Sequence, residues 1–150
     1  MSAVMEERAA RAAWSALVEP GDPVAGALVT ALGAGPALDW VRRWVREPGS
    51  FAAQGWLELE EQRGEIEPTG RQQVGRALDR WAPRLARTTD DALTGALDLA
   101  PRAGARVVVP GDPEWPSGLE ALGPSAPLCL WVRGAVPDLS RSVAVVGARA

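Results

Sequence analysis

Three stretches of this 150-residue sequence carry residue types and spacings suited to handling a phosphate. The first is "LVTALGAGPALDWV", residues 28–41, where Gly33-Ala34-Gly35 joins two apolar helical patterns. Glycines there let the turn approach an anion, and free N–H groups at the start of the next helix can bind it. This is the look of a helix-hairpin-helix, whose contacts hold a nucleic-acid backbone without reading sequence. A G-x-G turn is also ordinary helix capping, which would make the segment a packing or protein-docking module; Asp39 adds negative charge close by. The second stretch is "SVAVVGARA", residues 142–150. Val143 to Val146 run into Gly147, and Arg149 follows two residues later. In doubly wound sheets ligands bind beyond the carboxyl ends of the strands, where a first glycine permits the tight turn. The third is Arg76, Arg80, Arg84 and Arg87, which recur along one helical stripe. Such a stripe either tracks a phosphate backbone or forms a solvated face.

Other chemistries are excluded by composition. There is no histidine, and Cys129 is the only cysteine. A Ser/His or Cys/His catalytic pair and a Cys/His zinc site are therefore absent, and no metal site or catalytic residue is expected. Nor can an intrachain disulfide form, which agrees with a reducing compartment. Cys129, between apolar neighbours in "PLCLWV", reads as a small buried hydrophobe. Acid pairs such as Glu60-Glu61 and Asp90-Asp91 stand in polar stretches and suggest no perturbed dyad. All 16 cations are arginine and the net charge is −3. Arginine suits bidentate phosphate contacts, although coding bias in a GC-rich genome gives the same composition. The net charge argues against strong non-specific nucleic-acid binding by the chain as a whole. No apolar run approaches the roughly 20 residues needed to cross a bilayer. The N-terminal "MSAVMEERAARAAW" lacks an apolar signal region. A soluble cytoplasmic protein without a cofactor is the resulting expectation.

The elements that would position these residues change type along the chain. Ala10, Ala13, Trp14, Leu17 and Val18 form one helical face. Asp22 and Pro23 mark the N-cap and first position of a second helix, which ends at Gly33. Its expected face is Val24, Ala27, Leu28, Ala31 and Leu32. A third helix is expected over about 37–46 and a fourth within 50–62. Thr69 and Gln72 form a T-x-x-Q capping box ahead of a helix with Val74, Ala77, Leu78, Trp81 and Leu85 on its face. A last helix is expected from Asp90 to Leu99. From Ala105 the period changes: "ARVVVP", "PLCLWVRG" and "SVAVVG" read as three strands, each apolar on consecutive residues. That pattern predicts a parallel sheet covered on both faces. Between the first two strands, "DPEWP" is extended, and Ser117 with Glu120 makes a second capping box. Of the seven tryptophans, Trp14, Trp44 and Trp81 fall on apolar helix faces. Trp40 and Trp56 can be read either way, and Trp115, between Glu114 and Pro116, is the one burial explains least.

From Arg106 onward the order of features is more specific than any single one. "RVVVPGDPEWPSGLEALGPSAPLCLWVRG", followed by "SVAVVGARA", closely resembles the DprA/Smf family, the DNA-processing protein A of bacterial natural transformation. The carrying pieces are a strand ending in "PGD", the Trp115-Pro116 pair, a short L-x-x-L helix, a proline before "LCLWVRG", and a strand ending in Val-Gly-x-Arg. The resemblance implies a helical, SAM-like or helix-hairpin-helix domain over residues 1–103. It is followed by the opening strands of a Rossmann-like parallel sheet over 104–150, an α plus α/β arrangement. It also implies binding of incoming single-stranded DNA and its transfer to the RecA recombinase, with indirect displacement of single-strand-binding protein. The resemblance further implies that no reaction is catalysed and that the full-length family forms homodimers. Gly147 and Arg149 match the family's Gly-Ser/Thr-Arg motif, with Arg149 on a phosphate; Ala148 departs from the small hydroxyl residue usual there. By the resemblance this chain holds the front of such a protein, with weak activity alone. Two alternatives from other classes are a nucleotide-binding Rossmann-like enzyme of the lysine-decarboxylase-like type and a helical protein-docking module.

Overall fold

The computed structural model describes residues 3–88, 95, 97 and 100–139. Five α-helices come first among these: α1 (Ala3–Leu17), α2 (Pro23–Leu32), α3 (Ala34–Arg46), α4 (Ala52–Arg63) and α5 (Pro68–Arg87). After a 3-10 turn at Pro101–Ala103 come β1 (Ala105–Val108), a 3-10 segment at Ser117–Ser125, and β2 (Leu130–Arg133). The third expected strand, at 143–147, and nearly all of the helix expected from Asp90 to Leu99 lie outside the described residues.

The helices close around one apolar core. Trp14, Leu17, Leu28, Leu38, Val41, Leu59, Leu78 and Trp81 are all buried in it. Trp14 and Trp81 meet edge to face, with ring centroids 5.6 Å apart, a favoured aromatic geometry. The indole N–H of Trp14 donates to Ala34 O at 2.9 Å, and that of Trp40 to Gly55 O at 2.9 Å. Both rings thereby enter the core with their polar atoms satisfied. The expected faces of α1 and α5 are the buried or core-packed ones. In α2 the fully buried residues are Ala25, Gly26, Leu28 and Val29, because this helix is covered on two sides. One side meets the helical core. On the other, Gly26 lies so close to the 3-10 segment that a Cβ there would stand 2.0 Å from Pro124 O.

Two expected capping boxes do not form. Pro68 occupies the first helical position of α5, so Thr69 is already inside the helix and Glu67 precedes it without a side-chain cap bond. Ser117 likewise begins a 3-10 segment whose preceding residue is Pro116, again with no side-chain cap. At α2 the expectation holds: the Asp22 carboxylate accepts from Val24 N at 2.9 Å and Ala25 N at 3.2 Å.

The sheet is the main departure from expectation. β1 and β2 are antiparallel, with Ala105 opposite Arg133 and Val108 opposite Leu130. They are not the parallel opening of a Rossmann-like sheet. Parallel neighbours need a crossover, usually an α-helix, laid across the sheet. Here the connection holds only 3-10 geometry, and it turns at Gly111 (φ 92°) and Gly123 (φ 54°). It packs against α2 through Gly26, so the chain re-enters beside β1 in the opposite sense. Nor is β2 covered on both faces: its exposure alternates, leaving Trp131 and Arg133 open to solvent. Consecutive apolar residues alone do not distinguish the two arrangements.

Candidate nucleic-acid interface

At the α2–α3 junction a single residue, Gly33 (φ 86°), separates the two helices, whose axes turn by 114°. The sequence places the start of α3 near residue 37, but Ala34 and Gly35 already belong to its first turn. Gly35 is thus helical rather than part of the loop. The N–H of Gly33 is taken by Val29 O and that of Ala37 by Gly33 O. Pro36 has none. Only Ala34 and Gly35 retain helix-start donors, and Ala34 is fully buried against the core. The hairpin therefore leaves one helix-start N–H at a partly exposed residue, Gly35, beside an exposed Asp39.

The corner after β1 is built more elaborately. Asp112 accepts Val109 N at 2.9 Å, closing the turn that Pro110 and Gly111 begin. Its two oxygens also receive a bidentate pair from Arg8 of α1, at 2.7 and 2.8 Å. The Arg8 bonds, aided by the bond from Val109, hold the Asp112 carboxyl below the usual carboxylate range. Arg8 further donates to Val107 O, and Arg11 donates to Leu128 O at 3.1 Å. Ser15 Oγ accepts the Trp131 indole N–H at 3.0 Å. Ala12, fully buried, packs with Val107, Val109 and Cys129. One face of α1 thus joins the helical core, and the other seats the two-stranded sheet. Arg106 ties β1 to this corner through Glu114 and to the end of β2 through Gly134 O at 2.7 Å. The bonds from Arg106 hold the Glu114 carboxyl down. Trp115 is buried, with its indole N–H unpartnered, contrary to its loop-like sequence setting. Burial pushes the Cys129 thiol up, away from reactive thiolate.

The arginine stripe is divided between two roles. Arg80 bonds Asp22 at 3.3 Å, and Arg84 bonds both Leu17 O at 3.0 Å and Glu19. Arg76 and Arg87 are exposed, and among the described residues neither has an ion-pair partner. Trp40, Trp44, Phe51 and Trp56 form a mutually packed aromatic group capped by Arg43 and Arg71. Their rings are engaged with each other. Among the described residues there is no group of three metal-ligating side chains. No single helix there is long and apolar enough to cross a membrane.

The contacts of the corner after β1 join α1 to the segment that begins at Arg106. Residues 106–150 match the model of the DNA recombination-mediator protein A family. That match takes in the Pro110–Asp112 turn, the Trp115-Pro116 pair, β2 and the terminal Val-Gly-x-Arg, and it is the family the sequence resembles. It spans less than a third of the chain. No curated protein and no solved structure is significantly similar to the chain. Of the residues expected to touch DNA, Gly33 and Gly35 stand at the α2–α3 junction, and Gly147 and Arg149 lie outside the described residues. Sequence reasoning missed the α1 residues Arg8, Arg11 and Ser15, whose partners stand about a hundred positions away. No local spacing signals such pairs.

Proposed function

We propose that this chain acts in DNA recombination as a mediator of the DprA type. It binds incoming single-stranded DNA and passes it to the RecA recombinase on strands coated with single-strand-binding protein. The observation that carries this reading is the family match over residues 106–150. An all-arginine set of cations, able to fork onto phosphates, is consistent with it. The action on this reading is binding rather than catalysis, as the resemblance implies; the lack of histidine and the single cysteine, which is buried, are consistent with it. Arg149, after Gly147, is the phosphate contact, and the helix-start N–H of Gly35 beside Gly33 is a secondary one. Homodimerisation, as the resemblance implies, would present two such contacts to one strand.

Affinity rises with the number of phosphates neutralised, and each contact steepens the salt dependence. A chain of net charge −3 should therefore bind weakly at physiological salt. Fluorescence anisotropy with a labelled oligonucleotide, titrated at low and physiological salt, measures this directly. A parallel assay follows the lag before RecA hydrolyses ATP on strands coated with single-strand-binding protein. Binding that strengthens at low salt, weakens on Arg149→Ala and shortens the lag is the expected result. Salt-independent anisotropy with an unchanged lag would refute the reading.

A further inference from the structure

We infer a second single-stranded-DNA contact, a base-stacking cleft beside Trp131 flanked by the arginines of α5; the inference rests on the function proposed above. Trp131 is 43% exposed, whereas Trp14, Trp40, Trp81 and Trp115 are all at or below 8%. A large aromatic left this open on a strand, with its N–H already bound to Ser15, has a free ring surface and no unmet polar demand. Beside it lies a cleft of about 150 Å³, walled by Val18, Pro20, Pro127, Leu128 and the Trp131 ring. A nucleobase presents flat apolar faces and a polar rim, so an aromatic wall with apolar flanks suits any base.

Charge determines which flat ligand is favoured. On the same face of the antiparallel pair, two residues beyond Trp131, stands exposed Arg133, which has no ion-pair partner among the described residues. The cleft's other rim carries Glu19 and Asp22. Those acids are bonded to Arg84 and Arg80, so the α5 stripe borders the cleft. Arg76 and Arg87 extend the stripe in both directions without acidic partners among the described residues. The stripe and Arg133 outnumber the two acids on the rim, in a chain that is acidic overall. An aromatic platform between cations is the arrangement that holds a single strand by stacking plus phosphate contact. A neutral aromatic ligand would gain at most a cation–π contact from the arginines and no charge pairing, and a protein partner would not require the open ring.

The test uses the full 150-residue chain at low salt with a bromouracil-substituted oligothymidylate, photo-cross-linked and mapped by mass spectrometry. Cross-links on the 126–133 peptide, centred on Trp131, are expected. In anisotropy, Trp131→Leu should weaken binding by about five- to tenfold, from the lower range of base–aromatic stacking, while Trp131→Phe retains most of it. Arg76→Gln with Arg87→Gln should flatten the salt dependence, and among the described residues neither arginine is held in an ion pair. Cross-links confined to other segments, with Trp131→Leu binding as wild type, overturn the cleft and leave the proposed function standing. No cross-link and no binding at any salt overturns both. Because cross-linking is read on the unaltered chain, misfolding of a variant cannot decide the outcome.

Discussion

Removing the Asp112 carboxylate should loosen the seat of the sheet on α1, and the expected size follows from its contacts. Asp112 accepts three hydrogen bonds, two from Arg8 at 2.7 and 2.8 Å and one from Val109 N at 2.9 Å. Exposed ion pairs are worth about 0–1 kcal/mol, whereas breaking a buried one costs about 3–5 kcal/mol. With side chains 22% and 21% exposed, this pair falls between those limits. Asp112→Ala should destabilise by about 3 kcal/mol, since it also orphans Val109 N–H. Asp112→Asn keeps that acceptor and should cost about 1.5 kcal/mol. For a chain of this size each kcal/mol lowers Tm by roughly 2–4 °C. Urea denaturation followed by circular dichroism, with tryptophan emission giving the same midpoint, supplies the free energies. A double-mutant cycle of Arg8→Met with Asp112→Asn should return a coupling of about 1–2 kcal/mol. Asp112→Ala within about 0.5 kcal/mol of wild type, or a coupling near zero, would refute the reasoning.

Gly26→Ala should destabilise by about 1–3 kcal/mol, because the new methyl meets a backbone carbonyl that has little room to retreat. In an open helix the same change would stabilise by about 1 kcal/mol, so the sign of the Tm shift decides. Trp14→Phe should cost about 1–2 kcal/mol in urea, losing the bond to Ala34 O while retaining an aromatic ring against Trp81. The folded pKa of Asp112 is depressed, so its contribution is fully present above its unfolded value of about 3.9. It is lost as pH falls through the lower folded value. The Tm gap between wild type and Asp112→Asn should accordingly be constant near neutrality and shrink below about pH 4, as differential scanning calorimetry can follow.

The helical part was legible where chemistry is local. Asp22, Pro23 and Gly33 bound α2 because a cap, a fixed φ and a left-handed turn act within a few residues. The 3.6-residue spacing found the buried faces of α1 and α5 because one side of each meets the core. Elsewhere a local signal lost to its neighbours. Thr69 was displaced from the cap by Pro68, and Gly26 gave no hint that its missing side chain admits Pro124. The antiparallel sense of β1 and β2 was the least legible feature. It depends on where residues 109–129 pack, and that is decided by α2, far away in sequence. At the candidate site, the PGD turn could be recognised but not its partner: nothing near Arg8 announces that it will grip Asp112.

The residues that carry the family likeness between 106 and 139 are largely occupied in holding the fold. Asp112 is saturated by Arg8 and Val109, Glu114 by Arg106, and Trp115 is buried. A ligand could recruit Asp112 only by breaking the contacts that seat the sheet on α1, and Glu114 only by displacing Arg106. Under the proposed function, ligand binding falls to Trp131 and Arg133 on β2, which the fold leaves exposed, together with Arg149, which lies outside the described residues. If Trp131 and Arg149 grip one strand through separate contacts, their free-energy losses add and their fold-losses multiply. A Trp131→Leu/Arg149→Ala double variant should bind weaker by the product of the two single losses in the anisotropy assay. A double variant no weaker than the worse single would mean that one contact holds the strand, and the other residue serves only the scaffold.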